Sequence, residues 1–377
     1  MIFAGSVIVF FYTLIMGMIY FGSRSASDES IIQNDKKTRF TIIIPFRDEA
    51  DNLNALIDSL LRLNYPTHLF EIVFVNDGST DNSEHIIKTA LDKCRLQYCI
   101  LKNERASASP KKDAISKAVK HSQYEWIMTT DADCRLHSGI LNCYDQNIQF
   151  KSPYMIVGPV GIEKGKGMNY YFQQYEHLAL QTMTAGGFGL KSPFLCNGAN
   201  LVFLKDLFLE LDGYSGNDHI STGDDIFLFE KFRRRDAKKL LYVRSLYAIV
   251  LTSPSNSWNE LIEQRVRWAS KISSQKNRIS LWVGLIVFVT NLWLLLGFIY
   301  CLLNPDQFVN FLLVLLYKTL VDLIIISSSA LFLSVRIKWF AFLINTLLYP
   351  YISVWVAIRS IIGSYSWKGR QYTKPFI

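Results

Sequence analysis

The placement of apolar residues constrains this chain more than any other feature. Residues 2–21 carry no charged side chain, and residues 281–303 carry none either. Residues 308–335 are apolar except for Lys318 and Asp322, and residues 339–358 are uncharged but hold Pro350. A helix needs about 20 consecutive apolar residues to cross a hydrocarbon core. The chain therefore has to form long apolar helices at both ends, around a middle of mixed composition. A cleaved leader would place its cations before a shorter apolar stretch. Here Arg24, Lys36, Lys37 and Arg39 follow the first stretch. Residues 1–23 thus read as an uncleaved anchor, and the cations behind it place the following domain in the cytosol.

The C-terminal region 281–363 reads as two to three membrane helices. Asn304-Pro305-Asp306 makes a turn between the first two, and Arg336 with Lys338 marks a cytosolic loop after the second. A full third crossing would put the basic tail 364–377, with Lys368, Arg370 and Lys374, outside. That opposes the charge rule, so a bend at Pro350 or an interfacial position are the alternatives. Lys318 and Asp322 stand one helical turn apart and share a face. Charges at membrane depth are costly, so they are either a functional pair or a self-neutralising one.

A net charge of +8 suits anionic head groups or phosphate-bearing ligands. No helix-turn-helix, zinc-finger or RNP-like pattern supports a nucleic-acid partner. The six cysteines, Cys94, Cys99, Cys134, Cys143, Cys196 and Cys301, form no C-x-x-C pair and no zinc-spaced cluster with histidine. They read as reduced thiols.

The middle alternates strands with helices. Thr41-Ile42-Ile43-Ile44, closed by Pro45, is the run of a buried parallel strand. Residues 48–63 show helical spacing at Leu53, Leu56, Ile57, Leu60 and Leu61. Residues 70–76 and 125–130 are further strands, followed by Asp77-Gly78-Ser79-Thr80-Asp81 and by Asp131. This order predicts an α/β fold with a mostly parallel sheet and helices on both faces. Ligands in such sheets bind beyond the carboxyl ends of the strands, where both aspartate-bearing turns fall.

Several short patterns can carry chemistry. In Asp131-Ala132-Asp133 the two carboxylates sit two apart at a strand end, so they point the same way and can hold Mg²⁺ or Mn²⁺ and, through it, a diphosphate. A surface turn is the plain alternative. Asp77 to Asp81 ends a strand and opens a helix, which suits an anion or ribose-base group, or an ordinary capped turn. Gly223-Asp224-Asp225 precedes an apolar helical run. Its carboxylates are helix-capping groups, or a crowded pair in which one becomes a general base. Gln264, Arg267 and Trp268 share one face of a helix. An arginine fork there suits a phosphate and an indole suits a sugar or lipid, while an interfacial amphipathic helix is the alternative. Lys271 and Lys276 add charge before the membrane, and Lys111-Lys112-Asp113 offers a phosphate contact or a solvated loop.

Taken in order, these stretches resemble the family 2 inverting glycosyltransferases. The carrying residues are Ile42 to Glu49, Val75 to Asp81, Asp131-Ala132-Asp133, Gly223-Asp224-Asp225 and Gln264-Arg265-Val266-Arg267-Trp268. The likeness is closest to the membrane-bound members with a D, D-x-D, D, Q-x-x-R-W signature, such as cellulose, hyaluronan and chitin synthases and ceramide and carotenoid glycosyltransferases. The resemblance implies a Rossmann-like GT-A catalytic domain over 38–255, and amphipathic interfacial helices bearing the Q-x-x-R-W motif over 256–280. It implies a nucleotide-diphosphate sugar donor, with UDP favoured, and Mg²⁺ or Mn²⁺ as cofactor.

Residue by residue, Pro45, Glu49, Asp77 and Lys111 would line the nucleotide sugar, with Lys112 a register alternative to Lys111. Asp131 and Asp133 would hold the diphosphate, Asp133 through the metal. Asp225 matches the general base, with Asp224 beside it. Gln264, Arg267 and Trp268 would close over the diphosphate and the acceptor end, and Asn200 would lie on the acceptor side. The base motif reads Gly-Asp-Asp instead of the commoner x-Glu-Asp. The C-terminal region is short for a polymer channel, and Trp367-Lys368-Gly369-Arg370 resembles the tail of lipid-modifying members. A membrane lipid or lipid-linked glycan is thus the expected acceptor, at a bacterial inner membrane with the catalytic domain cytosolic. The alternatives are a processive polysaccharide synthase and an inactive binding subunit of a secretion complex.

Overall fold

Strands rich in β-branched and aromatic residues form the centre of one of the two units into which the chain divides. A computed structural model describes residues 2–25, 38–271, 277–362, 364–368 and 370–372. Lys36, Lys37, Lys276, Gly369 and Lys374 lie outside these residues. The α/β unit comprises Ser27–Glu163 and Cys196–Ser253, and the helical unit the remaining segments.

The chain begins with α1 (Ile2–Ser25), which belongs to the helical unit. The α/β unit then runs β1 (Phe40–Phe46), α2 (Ala50–Leu61), β2 (Phe70–Asn76), α3 (Ser83–Leu91), β3 (Gln97–Lys102), α4 (Pro110–His121) and β4 (Trp126–Thr129). It continues with β5 (Cys134–Leu136), α5 (Ile140–Lys151), β6 (Met155–Val157) and β7 (Val160–Ile162). After α6 (Gly167–Gly189) of the helical unit come β8 (Leu201–Leu204), α7 (Lys205–Glu210), α8 (Asp224–Asp236), β9 (Leu240–Tyr242) and β10 (Val250–Thr252).

Seven strands form one sheet in the order β3-β2-β1-β4-β8-β6-β9. The β1 strand pairs in parallel with both β2 and β4, whereas β8 runs antiparallel to β4 and to β6. The fold is thus the expected mixed α/β, GT-A-like architecture with a mostly parallel centre. Ile42, Ile44, Ile72 and Phe74 are fully buried among the central strands. Burying each such side chain contributes about 1.5–3 kcal/mol, which is why these strands read as unbroken apolar runs. In register, Phe46 lies opposite Asn76 and Ile43 opposite Thr129. The turns after β1, β2 and β4 therefore emerge at one edge. A second sheet, β5-β10-β7, brings Thr252 opposite Cys134, next to Asp133.

The helical unit adds α9 (Trp258–Ser270), α10 (Arg278–Leu303), α11 (Phe308–Phe332), α12 (Trp339–Ile362) and a hairpin of β11 (Tyr365–Trp367) with β12 (Arg370–Tyr372). Four of its helices, α1, α10, α11 and α12, are long and apolar enough to cross a membrane. Pro350 lies within α12 without ending it, so the third C-terminal stretch is one helix. Glycines let α1 and α6 approach closely. A Cβ on Gly186 would collide with the Ile19 backbone, and one on Gly189 with that of Gly22. Lys318 is 1% exposed, its ammonium lies 2.6 Å from an Asp322 carboxylate oxygen, and the Tyr12 hydroxyl donates to the other at 2.6 Å. The pair neutralises itself and ties α11 to α1.

Candidate active site

The edge where β1, β2 and β4 end is built by two interlocked turns. Asp48 adopts a left-handed backbone, φ 50°. Its carboxylate accepts from the Thr80 N–H at 2.7 Å, while its own N–H donates to the Ser79 hydroxyl at 3.1 Å. Asp81 accepts from the Ala50 N–H at 2.9 Å, and Ser83 from the Glu49 N–H at 2.9 Å. The Glu49 carboxylate accepts from the Asn52 amide at 2.7 Å. These bonds fix the entry to α2 against the entry to α3. Between them stands Asp77, 8% exposed, whose carboxylate accepts from the Asn103 amide at 2.8 Å and pairs with Arg105 at 3.3 Å. Pro45 sits opposite Val75 in the sheet just beneath.

The second part of the edge is acidic. The Lys111 ammonium, in the first turn of α4, lies 2.6 Å from Asp131 and 3.1 Å from Asp224. Burial pulls its pKa down, but Asp131, Asp224 and Asp225 together push it well above the ordinary lysine value. One lysine thus joins two stretches more than ninety residues apart in sequence, the D-x-D turn and the start of α8. Asp133 lies in the same turn, with the Thr252 hydroxyl donating to it at 3.3 Å. Burial first, then the charges of Asp131 and Glu49, push the Asp133 carboxyl up to about 6. Such a rise is the mark of like charges crowded in a poorly solvated place.

The α8 carboxylates owe their position to Gly223. Its φ is +85°, and a Cβ there would run into the Phe227 ring at 2.6 Å. Only glycine accepts both conditions cheaply. Asp224 and Asp225 then occupy the first turn, with Arg233, Arg234 and Arg235 in the last, matching the helix dipole. The Ile226 N–H donates to Asp225 at 2.8 Å. Capping and chemistry are therefore compatible readings of the same two residues. A Cβ on Gly198 would stand 3.1 Å from Asp224 and 3.2 Å from Asp225, so that segment packs directly against the pair.

Asn200 lies apart from this surface. It is fully buried, and its amide donates to the carbonyls of Pro159 and Ala248 at 2.8 Å each while accepting from the Tyr144 hydroxyl. Both of its amide N–H groups are spent on holding the loops under the site. Tyr214 was not visible as a site residue. It is 6% exposed, and burial with the charges of Asp224, Asp225 and Cys196 pushes its hydroxyl well above the ordinary phenol value, so it stays protonated beside the carboxylates.

Gln264, Arg267 and Trp268 lie half-buried on α9 of the helical unit. Arg265 between them is 5% exposed, ion-pairs with Glu176 of α6 at 2.5 Å, and holds its guanidinium 4.2 Å from the centre of the Trp268 ring system. It also donates to the Gln264 amide oxygen. Glu263 pairs with Arg359 of α12 at 2.8 Å, so α9 is pinned on two sides.

Among the described residues, no three His, Cys, Asp or Glu side chains form a metal-holding group. Asp131 and Asp133 nevertheless offer hard oxygen donors where negative charge is already crowded. Two carboxylates suit Mg²⁺ or Mn²⁺, which commonly completes its shell with water and substrate phosphates.

A mixed α/β sheet with carboxylates gathered at its strand ends defines a GT-A-type domain. Residues 41–205 match the model of Glycosyl transferase family 2. It is 27% identical over 124 residues to the poly-beta-1,6-N-acetyl-D-glucosamine synthase of Staphylococcus aureus strain MSSA476, covering 32% of this chain and 29% of that protein. It is 31% identical over 86 residues to the synthase of the same name from Staphylococcus epidermidis strain RP62A, covering 23% and 19%. The chain thus matches less than a third of the length of these curated relatives. The solved mannosyltransferase PcManGT from Pyrobaculum calidifontis, in complex with GDP-Man and Mn²⁺, shares the fold at a TM-score of 0.51 and 14% identity. That likeness covers 95% of this chain and 98% of the other.

Proposed function

We propose that this protein is a membrane-bound inverting glycosyltransferase. It moves a sugar from a nucleotide-diphosphate donor, UDP-linked by preference, to a hydroxyl of a membrane lipid or lipid-linked glycan. The observation that carries the reading is the Lys111 bridge, which brings Asp131 and Asp224 to one strand edge. In this reading Asp77, with Asn103 and Arg105 behind it, receives the base and ribose, and Pro45 and Glu49 line the same wall. Lys111 turns its charge to the diphosphate. Asp131 and Asp133 would hold a divalent cation, which would supply charge neutralisation to the leaving diphosphate. Asp225 takes the proton from the acceptor hydroxyl. The acceptor oxygen then bonds to the anomeric carbon from the face opposite the diphosphate, the glycosidic bond to phosphate breaks, and the configuration inverts. For Gln264, Arg267 and Trp268, the motif order supports contacts to the diphosphate and the acceptor.

The four apolar helices support an integral membrane protein, the staphylococcal relatives favour a bacterial one, and the cations that follow the first apolar stretch favour a cytosolic catalytic domain. A second reading is a processive polysaccharide synthase, favoured by the staphylococcal relatives, which are poly-beta-1,6-N-acetyl-D-glucosamine synthases. The two separate in one experiment. Labelled sugar from UDP-, GDP- and dTDP-donors is offered to the purified protein with membrane lipid, and products are resolved by thin-layer chromatography and by size. A discrete shift of a lipid supports single transfer. A high-mass ladder without a lipid product would transfer support to the polymerase.

A further inference from the structure

The two adjacent lysines at the start of α4 contact different groups. Lys111 meets carboxylates, as described above. Lys112 is 1% exposed, and its ammonium donates to the main-chain carbonyls of Asn217 at 2.6 Å and Ile220 at 2.8 Å. The same ammonium lies 4.8 Å from the centre of the Phe227 ring in α8. A buried ammonium is costly unless its protons find acceptors, and here two carbonyls and an aromatic face serve. Both carbonyls belong to the loop that leads into Gly223 and the Asp224–Asp225 pair. The loop has a further tie to the approach to α4, where the Ala108 N–H donates to the Asp218 carbonyl at 3.1 Å. Phe227 lies just beyond the carboxylates. Lys112 therefore touches the chain on both sides of them.

We infer that Lys112 is a positioning residue. It fixes the 217–222 loop and the first turn of α8, and so sets where the Asp225 carboxylate stands relative to Lys111 and Asp131. Lys111 and Lys112 then divide the work. The first governs donor affinity and the second governs turnover. The kinetic part rests on the glycosyl-transfer reading. The structural part does not.

The test uses the full-length protein in detergent, as wild type, Lys111→Met, Lys112→Met and Phe227→Leu. Donor KM and kcat are measured together with amide hydrogen exchange over 213–223. Lys112→Met is expected to lower kcat about 10- to 100-fold, the scale of a small misplacement of a reacting group, with donor KM within about twofold. Exchange over 213–223 should accelerate at least about tenfold while β1 and β2 stay protected. Lys111→Met should instead raise donor KM. Phe227→Leu, which keeps the lysine, should show a weaker form of the Lys112→Met effect, and it carries the test if Lys112→Met fails to fold. Unchanged exchange over 213–223, or a donor KM that rises as in Lys111→Met, would overturn the inference. If the wild type transfers no sugar from any donor, the glycosyl-transfer reading fails, and the exchange result alone decides whether Lys112 holds the loop.

Discussion

Two lysines in this molecule, Lys318 buried and Lys111 half-buried, answer the same electrostatic problem in opposite ways. Lys318 in α11 meets one carboxylate, Asp322, whose second oxygen is taken by Tyr12. The charges balance one to one, and the product is a brace between helices. Lys111 in α4 is shared between Asp131 and Asp224, with Asp225 close enough to raise its pKa and Asp133 pushed up to about 6 beside them. That cluster is crowded with like charge, and Gly223 maintains the crowding by setting the first turn of α8. A balanced pair stabilises a fold. A crowded cluster at strand ends costs stability, and such sites are where ligands carrying counter-charge are expected.

The largest expected effect comes from the crowded side. Asp225→Asn should lower transfer about 10²–10⁴-fold, the range of a lost general base, while leaving donor binding intact. Loss of binding in step with activity would move Asp225 to the donor side. Removing divalent cations with a chelator should abolish turnover in the wild type, and Mg²⁺ or Mn²⁺ should restore it. In Asp133→Ala the same additions should restore little, because a two-carboxylate site has lost one ligand.

The balanced side predicts the reverse pattern. Lys318→Ala should destabilise the protein by about 1–3 kcal/mol, since it leaves the half-buried Asp322 carboxylate without its cation. Thermal unfolding in detergent would show this. The double variant Lys318→Met with Asp322→Leu should recover most of that loss and keep activity, because an apolar pair of similar size replaces the brace. A double variant that folds normally but transfers no sugar would show that the pair does more than brace.

Much of this contrast was legible in the sequence, and the exceptions have physical reasons. β1 and β2 are buried on both faces, so they appear as unbroken β-branched and aromatic runs, and the aspartates beyond them mark the ligand edge. The apolar end helices are as plain, since a hydrocarbon slab demands length. β8 was not legible. It is four residues long and reverses the sheet direction, and pairing direction leaves no periodic trace in so short a run. Asn200 read as an acceptor-side residue because its segment resembles one. Only the fold shows that its amide is consumed by Pro159, Ala248 and Tyr144. Lys112 and Lys111 are indistinguishable as letters. Burial against backbone carbonyls separates them, and such partners have no signature in sequence. Tyr214 likewise becomes notable only when the two α8 carboxylates arrive beside it.

The most direct measurement is nucleoside diphosphate release by the purified protein, with Mg²⁺ or Mn²⁺, a panel of nucleotide sugars and membrane lipid, run beside Asp225→Asn. Release with one donor, dependent on the cation and lost in a variant that still binds that donor, is the expected result. Equal release by wild type and Asp225→Asn, or no binding of any nucleotide sugar by the folded wild type, would contradict the assignment of the crowded edge as a sugar-transfer site.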